Sequence, residues 1–255
     1  KAKFPLLLLL LFSISLFGQK TISKKYESEE LQDIRTIQIH LPRGYELDTI
    51  TNYPLTIVLD SEYLFDLYVG NSKLYSHTDK APKQIVVGVE MADTRLKDAS
   101  IDEERKGSLT GDSRSFMKFL KEELLPYVEG NYKTSPFLTI VGNGISANLL
   151  THFLRDESPI FNAYICLNPT FSENIVEQIT SYNIPKVGTI DNTYYFYLND
   201  GSFMGDTKQQ RASQLNNYLQ TLNIKNFNVK YDVMSDSPSN ISAIGEAIPR
   251  ALEKI

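Results

Sequence analysis

Residues 137–146 read Phe137-Leu138-Thr139-Ile140-Val141-Gly142-Asn143-Gly144-Ile145-Ser146. An apolar run ends at Val141, a turn of small residues follows, and residues 146–155 carry a helical pattern, so the order is strand, tight turn, helix. That is the frame of a nucleophile elbow, whose usual spelling is Gly-x-Ser-x-Gly because the serine stands at a strained turn with small neighbours. Gly142 takes the first glycine position. The serine position holds Gly144, and the last glycine position holds Ser146. Glycine reaches positive φ without steric cost, so the turn can form although the hydroxyl is absent.

Outward from this stretch, residues 36–41 alternate with period two, 55–59 form a short apolar run stopped by Asp60, and 84–89 are rich in β-branched residues. Each reads as a strand, the last covered on both faces. Over 113–128 the residues Phe116, Met117, Leu120, Leu124 and Tyr127 fall at helical spacing, with Lys118, Lys121, Glu122 and Glu123 opposite. Beyond the elbow come strands at 163–168, 194–198 and 228–234, and helices at 172–182, 208–222 and 241–254. Alternation of this kind implies an α/β fold, a mostly parallel central sheet with helices on both faces. Ligands of such sheets sit at the carboxyl ends of the strands. The charged loop 93–112, with Arg95, Lys97 and Asp98, is expected to lie over that edge.

The 255 residues include 42% hydrophobic types, enough for one sizeable core, and a single domain over 19–255 is expected. With 22% charged residues and a formal net charge of −5 there is no basic stripe for a phosphate backbone, which argues against nucleic acid as a partner. Lys1 and Lys3 precede an apolar run from Phe4 to Phe17, followed by Gly18. The run is about fourteen residues against the roughly twenty of a membrane span, so 1–18 reads as a signal peptide, an uncleaved anchor being the alternative. Export to the periplasm or the medium follows from that reading, with no membrane contact once the leader is cleaved. The single cysteine, Cys166, rules out an intramolecular disulfide and sits in an apolar strand, where burial is expected rather than nucleophilic work. No metal-ligand set and no cofactor motif is expected.

Several segments, in order, resemble the family known as "putative esterase", which includes the esterase D and enterobactin-esterase type hydrolases of the α/β-hydrolase fold. Val58-Leu59-Asp60-Ser61-Glu62-Tyr63 is similar to the family's apolar strand followed by Asp-Gly-Glu. Val86-Val87-Gly88-Val89, with Arg95 and Asp98 after it, is similar to a Val-Gly-Ile strand followed by an Arg-x-x-Asp loop. Glu123-Leu124-Leu125-Pro126-Tyr127 resembles the helix ending Glu-Leu-x-Pro-Tyr, and Phe161-Asn162-Ala163-Tyr164-Ile165 with Asn168-Pro169 resembles the strand ending in Ser-Pro.

The resemblance implies a serine, an acid and a histidine, in that chain order. The matching positions here are Gly144, Asp200 (with Asp206 second) and Asn240. Only His40, His77 and His152 exist, and none follows the acid strand; His40 is expected on a strand surface, His77 in a polar loop, and His152 packed beneath the sheet. Ser146 is the fallback nucleophile, although its expected role is to cap the helix that it opens. The oxyanion donors would be the N–H groups of Ile145 and of the loop at Ser61 and Glu62.

In a comparable serine hydrolase, removing the nucleophile or the histidine costs roughly a millionfold in turnover, and the oxyanion hole alone retains about a thousandfold over water. The leading expectation is therefore a non-catalytic protein that keeps the pocket and binds a small-molecule ester, a siderophore, an acylated sugar, a peptide or a protein partner. The alternatives are a carboxylic-ester hydrolase using a non-standard set such as Ser146 with Asp200, and an interaction protein with a closed pocket.

Overall fold

A computed structural model of the protein describes residues 20–153, 159–181, 193–222 and 224–255; the expected leader, Arg155 and Tyr182 lie outside them. The chain runs β1 (Lys20–Ser28), β2 (Asp33–Leu41), β3 (Tyr53–Val58), α1 (Ser61–His77), β4 (Ile85–Val89), α2 (Arg95–Ala99), β5 (Ile101–Asp102) and β6 (Ser108–Leu109). Then come α3 (Gly111–Lys118), a π-helical segment (Phe119–Leu124), α4 (Leu125–Asn131), β7 (Thr134–Asn143), α5 (Ile145–Phe153), β8 (Ala163–Leu167) and α6 (Glu173–Ser181). The chain closes with β9 (Tyr194–Asp200), α7 (Asp206–Thr221), β10 (Phe227–Val233) and α8 (Asn240–Leu252).

Eight strands form one sheet in the order β1-β2-β4-β3-β7-β8-β9-β10 among the described residues. β1 and β2 run antiparallel to each other and β2 runs antiparallel to β4, while the six strands from β4 to β10 are mutually parallel. The parallel strands were legible as apolar runs because helices cover both of their faces. Ile57, Val87, Ile140, Cys166 and Leu198 point to one face, beneath side chains of α3 to α7. Val58, Val86, Val141, Ile165 and Tyr197 point to the other, beneath α1 and α8. Cys166 is fully buried and burial pushes its thiol well above the ordinary range, which keeps it inert.

Four expectations need correction. β1 is an additional strand; it is a charged edge with Lys20, Lys24, Lys25 and Glu27, which protects the sheet from further pairing but hides the strand from a period-two search. Residues 61–77 form α1, not a loop, so His77 ends a helix. The long helix over 113–128 is three segments, with a π stretch just ahead of Pro126, whose missing N–H interrupts the regular ladder. His40 is buried rather than on a strand surface, because β1 covers it: Thr21, its register partner on β1, places Oγ1 3.2 Å from His40 Nδ1. Burial, aided by nearby Lys73, pushes the imidazole down to about 4.

Candidate functional site

The elbow forms where the sequence puts it. β7 ends at Asn143, Gly144 adopts φ +58°, and α5 starts at Ile145. Gly144 N–H donates to Leu167 O at 2.9 Å, and its carbonyl accepts from Asn148 N–H at 3.1 Å, so the residue is anchored to β8 and to its own helix. A side chain at Gly142 would bring a Cβ within 2.9 Å of the Ser146 backbone, which makes glycine necessary there. At Gly144 the requirement is conformational, and a Cβ placed there would stand 3.2 Å from Arg95 Nη2.

Arg95 therefore borders the space where an elbow nucleophile would project. It opens α2, inside the loop expected over the carboxyl edge, and it reaches that edge: Nε donates to Asp60 Oδ1 at 2.6 Å and Nη2 to the Asn143 carbonyl at 2.6 Å. α2 is itself held by a buried ion pair. Arg35 on β2 grips both carboxylate oxygens of Asp98 at 2.7 and 2.9 Å, and Thr94 Oγ1 donates to Asp98 at 2.6 Å.

Asp60 is the hub of the arrangement, although the sequence marks it only as a strand stop and as the first residue of the stretch resembling Asp-Gly-Glu. It is fully buried at the end of β3, in the left-handed region at φ +54°. Besides Arg95 it accepts from Ser146 Oγ at 3.1 Å and from Asn143 N–H at 3.3 Å. Ser146 thus does not cap its helix as expected; an anionic acceptor within reach wins over a free backbone N–H. The hydroxyl is buried beneath the turn rather than presented at its top.

Asn240, the first residue of α8, meets the elbow through one intermediary. Asn168 Nδ2 donates to Asn240 Oδ1, to Asn240 O at 3.2 Å and, weakly, to Asn143 Oδ1 at 3.4 Å. Asn199 Nδ2 donates to Asn168 Oδ1 at 2.6 Å, and Asn143 Nδ2 donates to Tyr63 OH at 3.1 Å. Asn143, Asn168 and Asn199 stand at the carboxyl ends of three neighbouring strands, so a chain of amides spans the edge from Tyr63 to α8.

Asp200 is not part of that chain. Successive strand residues face opposite sides, and with Asn199 turned toward Asn168, Asp200 faces the α7 side. Its carboxylate accepts from Tyr231 OH on β10, and Oδ1 has no partner among the described residues. Burial raises its carboxyl above the usual range. Asp206 opens α7 as an exposed residue.

Ser61 and Glu62 open the first turn of α1, so their N–H groups lie at a helix N-terminus rather than in a loop. Glu62 Oε2 accepts from Met91 N–H at 3.1 Å, tying α1 to the segment after β4. Ile145 is half-buried at the start of α5. His77 is exposed at the far end of α1, about 24 Å from Ser61 at 1.5 Å per residue. His152 is buried in α5. Among the described residues no three His, Cys, Asp or Glu side chains gather to hold a metal ion.

The strand order, the elbow and the helices on both faces define the α/β-hydrolase fold. The model of the family described as "Putative esterase" matches residues 28–148, and over that stretch the chain is similar to that family. No curated protein sequence matches it. Among solved structures it resembles an uncharacterised protein from Capnocytophaga ochracea (TM-score 0.81, 24% identity, covering 92% of this chain). The chain spans only 63% of that protein's length. It also resembles the BES protein from Bacillus cereus (0.80, 19%, covering 92% of this chain and 94% of that one). An IroE-like serine hydrolase from Shewanella oneidensis is similar as well (0.75, 21%, covering 91% and 79%). At these identities the likeness concerns the fold.

Proposed function

We propose that this chain is an exported esterase-fold protein that binds a small molecule at the carboxyl edge of its sheet without hydrolysing it. The ligand class is an ester-bearing small molecule, a siderophore or an acylated sugar; the fold's resemblance to proteins named as siderophore hydrolases supports the middle member. One observation carries the reading. The residue at the elbow is Gly144, and the position its side chain would take is bordered by the Arg95 guanidinium, itself committed to Asp60 and the Asn143 carbonyl. A general base is missing too, since the late position matching a histidine holds Asn240, an amide that is no proton acceptor at neutral pH.

The Ser146 Oγ contact with Asp60 at 3.1 Å favours a second reading, hydrolysis by Ser146. Against it stand the burial of the hydroxyl and the engagement of the same carboxylate by Arg95. A serine-reactive fluorophosphonate probe decides: the wild type should remain unlabelled, and labelling that disappears in Ser146→Ala would establish the second reading instead. As the converse, Gly144→Ser with Asn240→His should gain labelling only when Arg95→Ala is added.

A further inference from the structure

At the opposite end of the parallel strands a cavity of about 180 Å³ opens beside the exposed Pro82. Its walls are Pro54, Ala81, Phe137, Leu252 and Ile255, and no Asp, Glu, Lys, Arg or His side chain lines it. Two polar side chains on its floor stand out. Gln84, 6% exposed, spends Oε1 on the hydroxyls of Thr56 and Tyr68, while its Nε2 has no acceptor among the described residues. Thr139, 4% exposed, makes no side-chain hydrogen bond among them. Both residues line the cavity, so an amide donor and a hydroxyl with no protein partner among the described residues give an otherwise apolar space one polar anchor point. The volume is that of a single-ring molecule: an apolar cavity of about 150 Å³ accommodates benzene.

We propose that this cavity binds a small, neutral, single-ring molecule carrying one hydrogen-bonding oxygen, of which phenol is the simplest example. The oxygen accepts from Gln84 Nε2, its proton goes to Thr139 Oγ1, and the ring fills the space between Pro54, Phe137 and Leu252. The site is separate from the elbow, since Thr139 precedes Gly144 by about 16 Å along β7 at 3.3 Å per residue. It therefore stands or falls independently of the function proposed above.

Calorimetric titration with phenol, toluene and benzoate tests it. Phenol should bind saturably and about five- to tenfold more tightly than toluene, the ratio of one buried hydrogen bond, and benzoate should not bind. Gln84→Leu should erase the preference while keeping toluene, which also shows that this variant is folded. Ala81→Trp, at the half-buried rim, should block both. If phenol fails to bind the wild type, or binds Ala81→Trp as well as the wild type, the cavity holds only water and the proposal is overturned. Phenol affinity unchanged in both Gln84→Leu and Thr139→Val would overturn the polar contacts that define it.

Discussion

The two ends of the parallel strands use their polar atoms in opposite ways. At the carboxyl ends Asp60, Arg95, Asn143, Ser146, Asn168, Asn199 and Asn240 are joined to one another by hydrogen bonds, which fixes the frame that would border a ligand there. At the amino ends Gln84 and Thr139 are buried with hydrogen-bonding capacity unused beside an apolar cavity. The frame of an active site can thus be held rigid by its own polar side chains, while the end with no catalytic motif turns two polar groups to an apolar cavity.

The comparison can be broken most severely at the buried pair that seats α2. Asp98→Leu leaves the Arg35 guanidinium without its counter-charge and should lower the unfolding free energy by about 3–5 kcal/mol, read from urea denaturation. A loss under about 1 kcal/mol would mean that the pair does not hold the Arg95 segment. The next effect belongs to the amino ends, where His40 lies opposite Val86 at the start of β4. Its folded value of about 4 lies below the ordinary 6.5, so the unfolded chain takes up the proton first. The stability from a neutral His40 is complete above pH 6.5 and is lost as the pH falls from 6.5 to 4, by up to about 3 kcal/mol. Denaturation curves at pH 7.5 and 4.5 should show that drop, and His40→Gln should shrink it; an equal drop in the variant would assign the effect to carboxylates elsewhere.

Two smaller changes sharpen the picture at the carboxyl ends. Gly144→Ser places an L-residue at φ +58° against a flexible arginine tip and should cost about 1–2 kcal/mol, seen as a lowered thermal midpoint. Its companion Arg95→Ala should give the serine room, so that the double variant is strained less than the sum of the two single changes; strict additivity would mean that the guanidinium does not crowd the turn. Asn240→Ala removes the exposed end of the amide chain and should cost about 1 kcal/mol or less, the smallest effect of the set.

Much of this fold could be read from the chain, for a physical reason that also explains the gaps. Strands buried on both faces must be apolar throughout, so β3, β4, β7 and β8 announce themselves. β1 lies at the solvent edge, and its charged residues carry no such mark. α1 does carry a signal, with Leu64, Phe65, Tyr68 and Val69 buried at helical spacing, but Gly70 and the polar residues after it broke the pattern. At the site, residues adjacent in sequence were legible: the turn, Gly144 in it and Ser146 after it. Contacts made at long range were not. Asp60 looked like a strand end, and nothing local shows that Arg95, forty-nine residues before Gly144 in the chain, ends beside it. Asp200 was matched by position in the chain, but strand alternation turned its neighbour Asn199 toward the elbow instead.

The guanidinium beside Gly144 also bears on which substitutions the elbow could accept. A serine appearing at the turn would meet the Arg95 guanidinium, an amide at position 240 and a carboxylate already bonded to that arginine. On the function proposed above, esterase chemistry at this elbow would require Arg95, Gly144 and Asn240 to change together.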